Sequence, residues 1–152
     1  MVFNRINNFV LEYLKYGKPI EGLHPYTQEI EERVTDCGGF STLMLSLFQS
    51  LKIPARLVVG YIINENFISR ILSHSKFLLM HAWPEALLPD GSWFPFDPSL
   101  EWKRAKGLTR RQGGFGCIPD DRLVVSYSQN FMIDHEVKPI RLDILQNPIY
   151  ST

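Results

Sequence analysis

The sequence predicts an α+β fold in which helices come first and an antiparallel sheet follows. Three observations carry that prediction. A strongly amphipathic helical stripe runs from Phe40 to Leu51. A β-branched, apolar run follows it from Arg56 to Ile63. Two extended segments then flank Pro89-Asp90-Gly91-Ser92, the pattern of a hairpin.

Val2, Ile6, Phe9, Val10, Tyr13 and Leu14 follow helical spacing, so a first amphipathic helix is expected over 2–16. Gly17, Lys18 and Pro19 stop it. Residues Ile20 to Thr35 are polar and read as a loop, with room for a short helix around Gln28–Arg33. Phe40, Leu43, Met44, Leu47, Phe48 and Leu51 then recur at i, i+3, i+4, i+7, i+8 and i+11. Ser41, Ser46 and Gln49 occupy the other face. Thr35 or Asp36 is the expected N-cap, which puts Cys37 in the first helical turn. Pro54 ends the helix, because the residue before a proline is pushed out of the α region.

Arg56–Ile63 reads as a strand, whereas residues 64–80 follow no clear period. His81–Leu88 and Trp93–Phe96 form the hairpin. Pairing Leu88 with Trp93 sets Asp97 opposite Pro84, three residues short of His81. A bulge or shifted turn is then needed to join His81 and Asp97, and Pro84 and Pro95 make irregular pairing reasonable. After a Gly-rich loop over 107–116, Arg122–Tyr127 reads as a strand. Asn130–Ile133 and Lys138–Leu145 supply further short ones.

The 152 residues fit a single domain, and about two-thirds of the unfolded surface can be buried at this length. Composition is ordinary: 45% hydrophobic, 12% aromatic and 21% charged, which suits a packed globular core. Sixteen basic residues balance sixteen acidic ones, which argues against nucleic-acid binding driven by overall charge. Two cysteines, Cys37 and Cys117, are too few for a disulfide scaffold or a four-ligand zinc site, though one disulfide between them stays open. No apolar run approaches a membrane span, and Met1–Val10 does not read as a signal peptide, so a cytoplasmic location is expected.

Cys37, His81 and Asp97 are the residues suited to chemistry. A thiol nucleophile needs a base, and the base needs an orienting partner. A helix N-terminus also favours the thiolate. A lone cysteine at a helix start is otherwise more often a small buried hydrophobe. Cys117 has no such setting. His24, His74 and His135 have no metal-ligand spacing, and Pro84 spoils a helical His81/Glu85 pair, so no metal or cofactor is expected. Trp83 and Trp93 read as hairpin core, with Trp83 on the His81 side of its strand. Arg56 reads as structural, and Arg110-Arg111 as a solvated loop.

Asp36-Cys37-Gly38-Gly39-Phe40-Ser41, followed by Ile53-Pro54-Ala55-Arg56 and Gly60-Tyr61, resembles the nucleophile segment of the transglutaminase-like superfamily. His81-Ala82-Trp83, Gly91-Ser92-Trp93 and Asp97-Pro98 resemble its later blocks, in the same order across residues 36–99. Pro84 departs from the β-branched residue usual there. The resemblance implies a compact domain of bacterial or archaeal type with a papain-like core, its nucleophile helix packed on the antiparallel sheet. It implies a triad of Cys37 as nucleophile, His81 as base and Asp97 as orienting carboxylate. It further implies acyl transfer from amide bonds of a protein or peptide substrate, through a thioester, ending in hydrolysis or amine transfer. A second, side-chain oxyanion donor is expected, with Gln28 and Tyr26 as candidates. The competing reading is an idle interaction or structural module on the same fold.

Overall fold

The computed structural model describes residues 2–17, 31, 33–63, 78–127, 130–133, 140–143 and 149–151. Helix α1, Val2–Tyr13, buries Phe3, Ile6, Asn7 and Val10 along one side. It is shorter than the sequence predicts. Leu14 closes the last turn through Val10 O at 3.0 Å and remains buried. The next donors are then captured by another segment: Lys15 N donates to Arg33 O at 2.7 Å, and Gly17 N to Thr35 O at 2.9 Å. That makes Lys15–Tyr16 (β1) and Val34–Thr35 (β2) a short parallel ladder leading directly into the next helix.

Helix α2, Cys37–Ser50, starts where the polar cap and apolar stripe predict. Of the two expected caps, Asp36 is the one used, its Oδ1 accepting from Gly38 N at 2.7 Å. Ser41 Oγ donates to Ala82 O at 3.0 Å, tying α2 to the sheet. The main sheet has the order β5-β4-β3-β6, with antiparallel neighbours throughout. Its strands are β3 (Ala55–Ile63), β4 (Leu78–Leu87), β5 (Trp93–Pro95) and β6 (Arg122–Ser126). The fold is α+β, with the helix that opens at Cys37 against an antiparallel sheet, as the sequence predicts.

Three details correct the sequence reading. Strand β4 begins at Leu78, so His81 is inside it rather than at its start. The hairpin pairs Leu87 with Trp93 and Glu85 with Pro95, one residue away from the predicted register. Leu88 is drawn into the turn, where Leu88 N donates to Ser92 O at 2.8 Å and Gly91 adopts a φ of 85°. Finally, Asp97 does not sit opposite Pro84, the position that Phe96 takes through its N–H to Pro84 O at 2.9 Å. Asp97 caps helix α3, Pro98–Ala105, which the sequence reading did not anticipate.

Gly60 lies between His81 and Val124 in the register, beside a bulge at Val59/Gly60. A Cβ at Gly60 would come within 2.1 Å of Leu123 O, so only glycine lets β6 approach β3 this closely. Short strands β7 (Asn130–Ile133), β8 (Ile140–Asp143) and β9 (Ile149–Ser151) form a separate antiparallel sheet. No helix among the described residues is long and apolar enough to cross a membrane.

Packing centres on aromatic rings contributed by α1, α2 and the β5–α3 junction. Phe48 and Phe96 lie 5.1 Å apart, Phe94 and Phe96 5.0 Å, and Phe3 and Phe48 5.7 Å. Phe40, Met44 and Val10 complete this buried core. It anchors the start of α2 and the segment before Asp97 to one rigid body, which is what places the site. Phe48 is fully buried, so Phe48→Ala is expected to cost about 3–5 kcal/mol through lost burial and a residual cavity. Urea denaturation, read as a lowered midpoint with little change in slope, checks this.

Candidate active site

Asp97 occupies the N-cap of α3, with Pro98 at the first helical position. Its Oδ1 accepts from Leu100 N at 3.0 Å and Ser99 Oγ at 2.9 Å. Those bonds lock the carboxylate plane and turn Oδ2 towards the sheet. Oδ2 accepts from two further donors, His81 Nε2 at 2.7 Å and Arg122 Nη2 at 2.7 Å. His81 reaches it from the middle of β4, and Arg122 from the first position of β6. All three side chains are almost wholly withdrawn from solvent.

Cys37 is the first residue of α2 and is 3% exposed. It hydrogen-bonds His81. With Nε2 committed to Asp97, Nδ1 is the ring nitrogen left for the sulfur. The structure therefore brings Cys37, His81 and Asp97 into one chain of contacts. Of the bulge or shifted turn expected, the turn does shift by one residue, but that alone does not join the two side chains. Asp97 has left the hairpin and approaches His81 from the start of α3.

Burial alone would strip the proton from His81. The charges on Asp97 and Cys37, with hydrogen bonds to both, overcome that and hold its pKa up at about 9. Burial alone would raise the Asp97 carboxyl. The His81 charge and hydrogen bond, the Arg122 charge and the Leu100 N–H bring it down to about 2. At neutral pH the pair is thus imidazolium and carboxylate.

Other residues border the site. Tyr16 has its phenol pushed well above its ordinary range by burial and by the negative charges of Cys37, Asp36 and Asp97. Lys103 Nζ sits 3.6 Å from the centre of the Tyr16 ring. Burial lowers the Lys103 pKa, and the charges of Cys37 and Asp97 oppose that. Trp83 is fully buried and stacks on His81 with ring centres 6.1 Å apart.

Several sequence readings need revision here. Arg122 was legible only as a strand residue, although it shares Oδ2 of Asp97. Arg111 is not merely solvated: Nη2 lies 3.1 Å from Asp121 Oδ2. Trp93 is 37% exposed and packs its ring on the Arg56 guanidinium at 3.9 Å, so it is not hairpin core. Arg56 is indeed paired, to Glu85 Oε2 at 2.6 Å. Neither cysteine forms a disulfide, and Cys117 is exposed. Tyr26, Gln28, His24, His74 and His135 lie outside the described residues. Among the described residues no three metal-ligating side chains cluster.

A cysteine opening a helix against an antiparallel sheet, with histidine and aspartate converging on it, defines a papain-like fold. Within that class the profile of the transglutaminase-like superfamily matches residues 2–98, and the chain belongs to that superfamily. Among solved structures, a candidate cysteine protease from Cytophaga hutchinsonii is similar at 27% identity and a TM-score of 0.46. The similarity covers 63% of this chain and 30% of that one, so this chain spans under a third of that protein. Among curated proteins, none matches the sequence.

The His81–Asp97 contact should leave a pH signature in stability. The raised His81 pKa contributes fully below 6.5 and is lost as pH rises through about 9. The lowered Asp97 pKa contributes above 3.8 and is lost as pH falls through about 2. The difference in urea midpoint between wild type and Asp97→Asn is therefore expected to be greatest between pH 3.8 and 6.5, and to shrink on both sides.

Proposed function

We propose that the chain is a thiol acyl-transfer enzyme acting on amide bonds, with Cys37 as nucleophile, His81 as acid and base, and Asp97 as the orienting carboxylate. The observation that carries this reading is the buried 2.7 Å bond from His81 Nε2 to Asp97, made by a histidine that also hydrogen-bonds the helix-opening Cys37. The reading covers the 152 residues as one transglutaminase-like domain.

In this mechanism the Cys37 sulfur attacks the amide carbon and forms a C–S bond. The carbonyl electron pair moves to oxygen, where backbone N–H groups at the start of α2, including that of Cys37, stabilise it. Collapse breaks the C–N bond. His81 Nδ1–H protonates the leaving amine, and a thioester remains on Cys37. Neutral His81 then takes a proton from the acceptor as the acceptor attacks the thioester carbon, and the sulfur leaves as thiolate. Water as acceptor yields a carboxylic acid, and an amine yields a new amide. Hydrolysis is the favoured outcome. Asp97 holds the ring in one tautomer and stabilises the imidazolium throughout.

A second reading, an idle interaction module, has one observation behind it. Cys37 and His81 are only 3% and 5% exposed, so a substrate reaches them only if the surrounding side chains give way.

Two measurements separate the readings. In a Cys117→Ser background, iodoacetamide should alkylate Cys37 at pH 6 much faster than an ordinary thiol reacts, and His81→Ala should remove that advantage by about 100-fold. Ammonia release and amine incorporation should then be followed on casein. Asp97→Asn should reduce turnover by about 10³–10⁴-fold, since loss of the orienting carboxylate leaves the wrong histidine tautomer. Slow alkylation indifferent to His81, with neither product formed, would favour the idle module.

A further inference from the structure

Arg122 is a buried cation in a place where a second cation already sits. Its Nη2 and His81 Nε2 each lie 2.7 Å from the same atom, Asp97 Oδ2. The two donors are therefore no more than twice that distance, 5.4 Å, apart. Its side chain is 3% exposed. Among the described residues its Nε and Nη1 have no hydrogen-bond partner, and Nε stands 3.8 Å from Asp121, beyond hydrogen-bond reach. Asp97 is thus the hydrogen-bond partner of the guanidinium among the described residues, with Asp121 in ion-pair range and the Trp83 ring centre 5.8 Å away. Burying an arginine for one strong contact is costly, and a structural role alone would favour saturating the fork. β6 is brought to this distance by Gly60, where any side chain would strike the Leu123 carbonyl.

Like charges this close repel, while both are attracted to the carboxylate between them. Asp97 alone, buried and fully charged, would grip the His81 proton. Arg122 takes a share of Oδ2 and lowers that grip. A general acid works best when it can release its proton near the working pH.

Resting on the triad reading above, we propose that Arg122 is a positioning residue that fixes the Asp97 carboxylate and loosens its hold on the His81 proton, so that the imidazolium can protonate the leaving amine. The groups facing this cluster are Cys37 from the start of α2 and its N-cap Asp36, Tyr16 from β1, Glu101 and Lys103 from α3, and Arg111 and Asp121 from the segment before β6. Asp97, Asp121 and Cys37 act on Arg122 as anions and Arg111 as a cation. Of these cations, Arg122 is the one hydrogen-bonded to Oδ2, the atom that also accepts from His81.

The test follows the His81 ring by ¹H–¹³C NMR across pH 5–11, assigned with His81→Gln; the chain has four histidines, so its signals can be separated. In wild type the His81 inflection should fall near pH 9. Arg122→Gln should move it upward by about one pH unit or more. Arg122→Lys, which keeps the charge, should leave it within about half a unit. Should Arg122→Gln not fold, by far-UV circular dichroism, Arg122→Met takes its place. Should neither fold, a His81 inflection moved by about a unit in Arg122→Lys overturns the proposal on its own. An unmoved inflection in a folded Gln or Met variant also overturns it. The outcome is separate from the triad reading: if Cys37 alkylation depends on His81 but the inflection ignores Arg122, this inference falls alone. If alkylation ignores His81, the triad reading falls whatever Arg122 does.

Discussion

The constraint on which the rest of the structure depends is the buried ion pair between His81 and Asp97. Two charged groups withdrawn from water lose several kcal/mol of hydration each, and their mutual attraction offsets that only when the remaining lone pairs are also satisfied. Here they are. Ser99, the Leu100 N–H and Arg122 complete the Asp97 carboxylate, and Cys37 completes the histidine ring. Ser99 and Leu100 belong to α3, Arg122 to β6 and Cys37 to α2, so satisfying the pair fixes those elements relative to each other and to the β4 strand that carries His81. Removing either member of such a pair costs about 3–5 kcal/mol, because the other charge is stranded.

The aromatic core and the site are consequently not separate features. Phe96 is fully buried against Phe3, Phe48, Phe94 and Phe115, and Asp97 is its neighbour in the chain. The same packing that closes the core sets the start of α3. At the other end, the Lys15–Tyr16 ladder with Val34–Thr35 positions Asp36 and so the start of α2. The Cys37–His81–Asp97 cluster is thereby held by two helix starts converging on one strand. Around it, His81, Arg122 and Lys103 face the carboxylates of Asp97 and Asp36.

Much of this was legible in the sequence where the signal is local. The Phe40–Leu51 stripe and Pro54 mark α2 within a residue, since helical period and proline sterics act along the chain. Cys37, His81 and Asp97 were singled out by residue type and by their surrounding blocks. What failed was non-local or competed with a local alternative. The hairpin slipped one register because Leu88 joins the turn, which turn residues alone do not reveal. Helix α3 carries a readable start, Asp97-Pro98, but it follows the Trp93–Phe96 strand directly, so the hairpin pattern competes with the cap signal. The partners Glu85 for Arg56 and Asp97 for Arg122 depend on sheet pairing and tertiary approach, which a linear pattern does not encode.

In the resting protein His81 is expected to be an imidazolium held between Cys37 and Asp97. The ¹⁵N NMR spectrum of the histidine rings at pH 7 tests that directly. Both His81 nitrogens are predicted to carry protons, with the Nε2 proton shifted by its short bond to Asp97 Oδ2. A neutral His81 ring at pH 7, with one nitrogen bare, would contradict it.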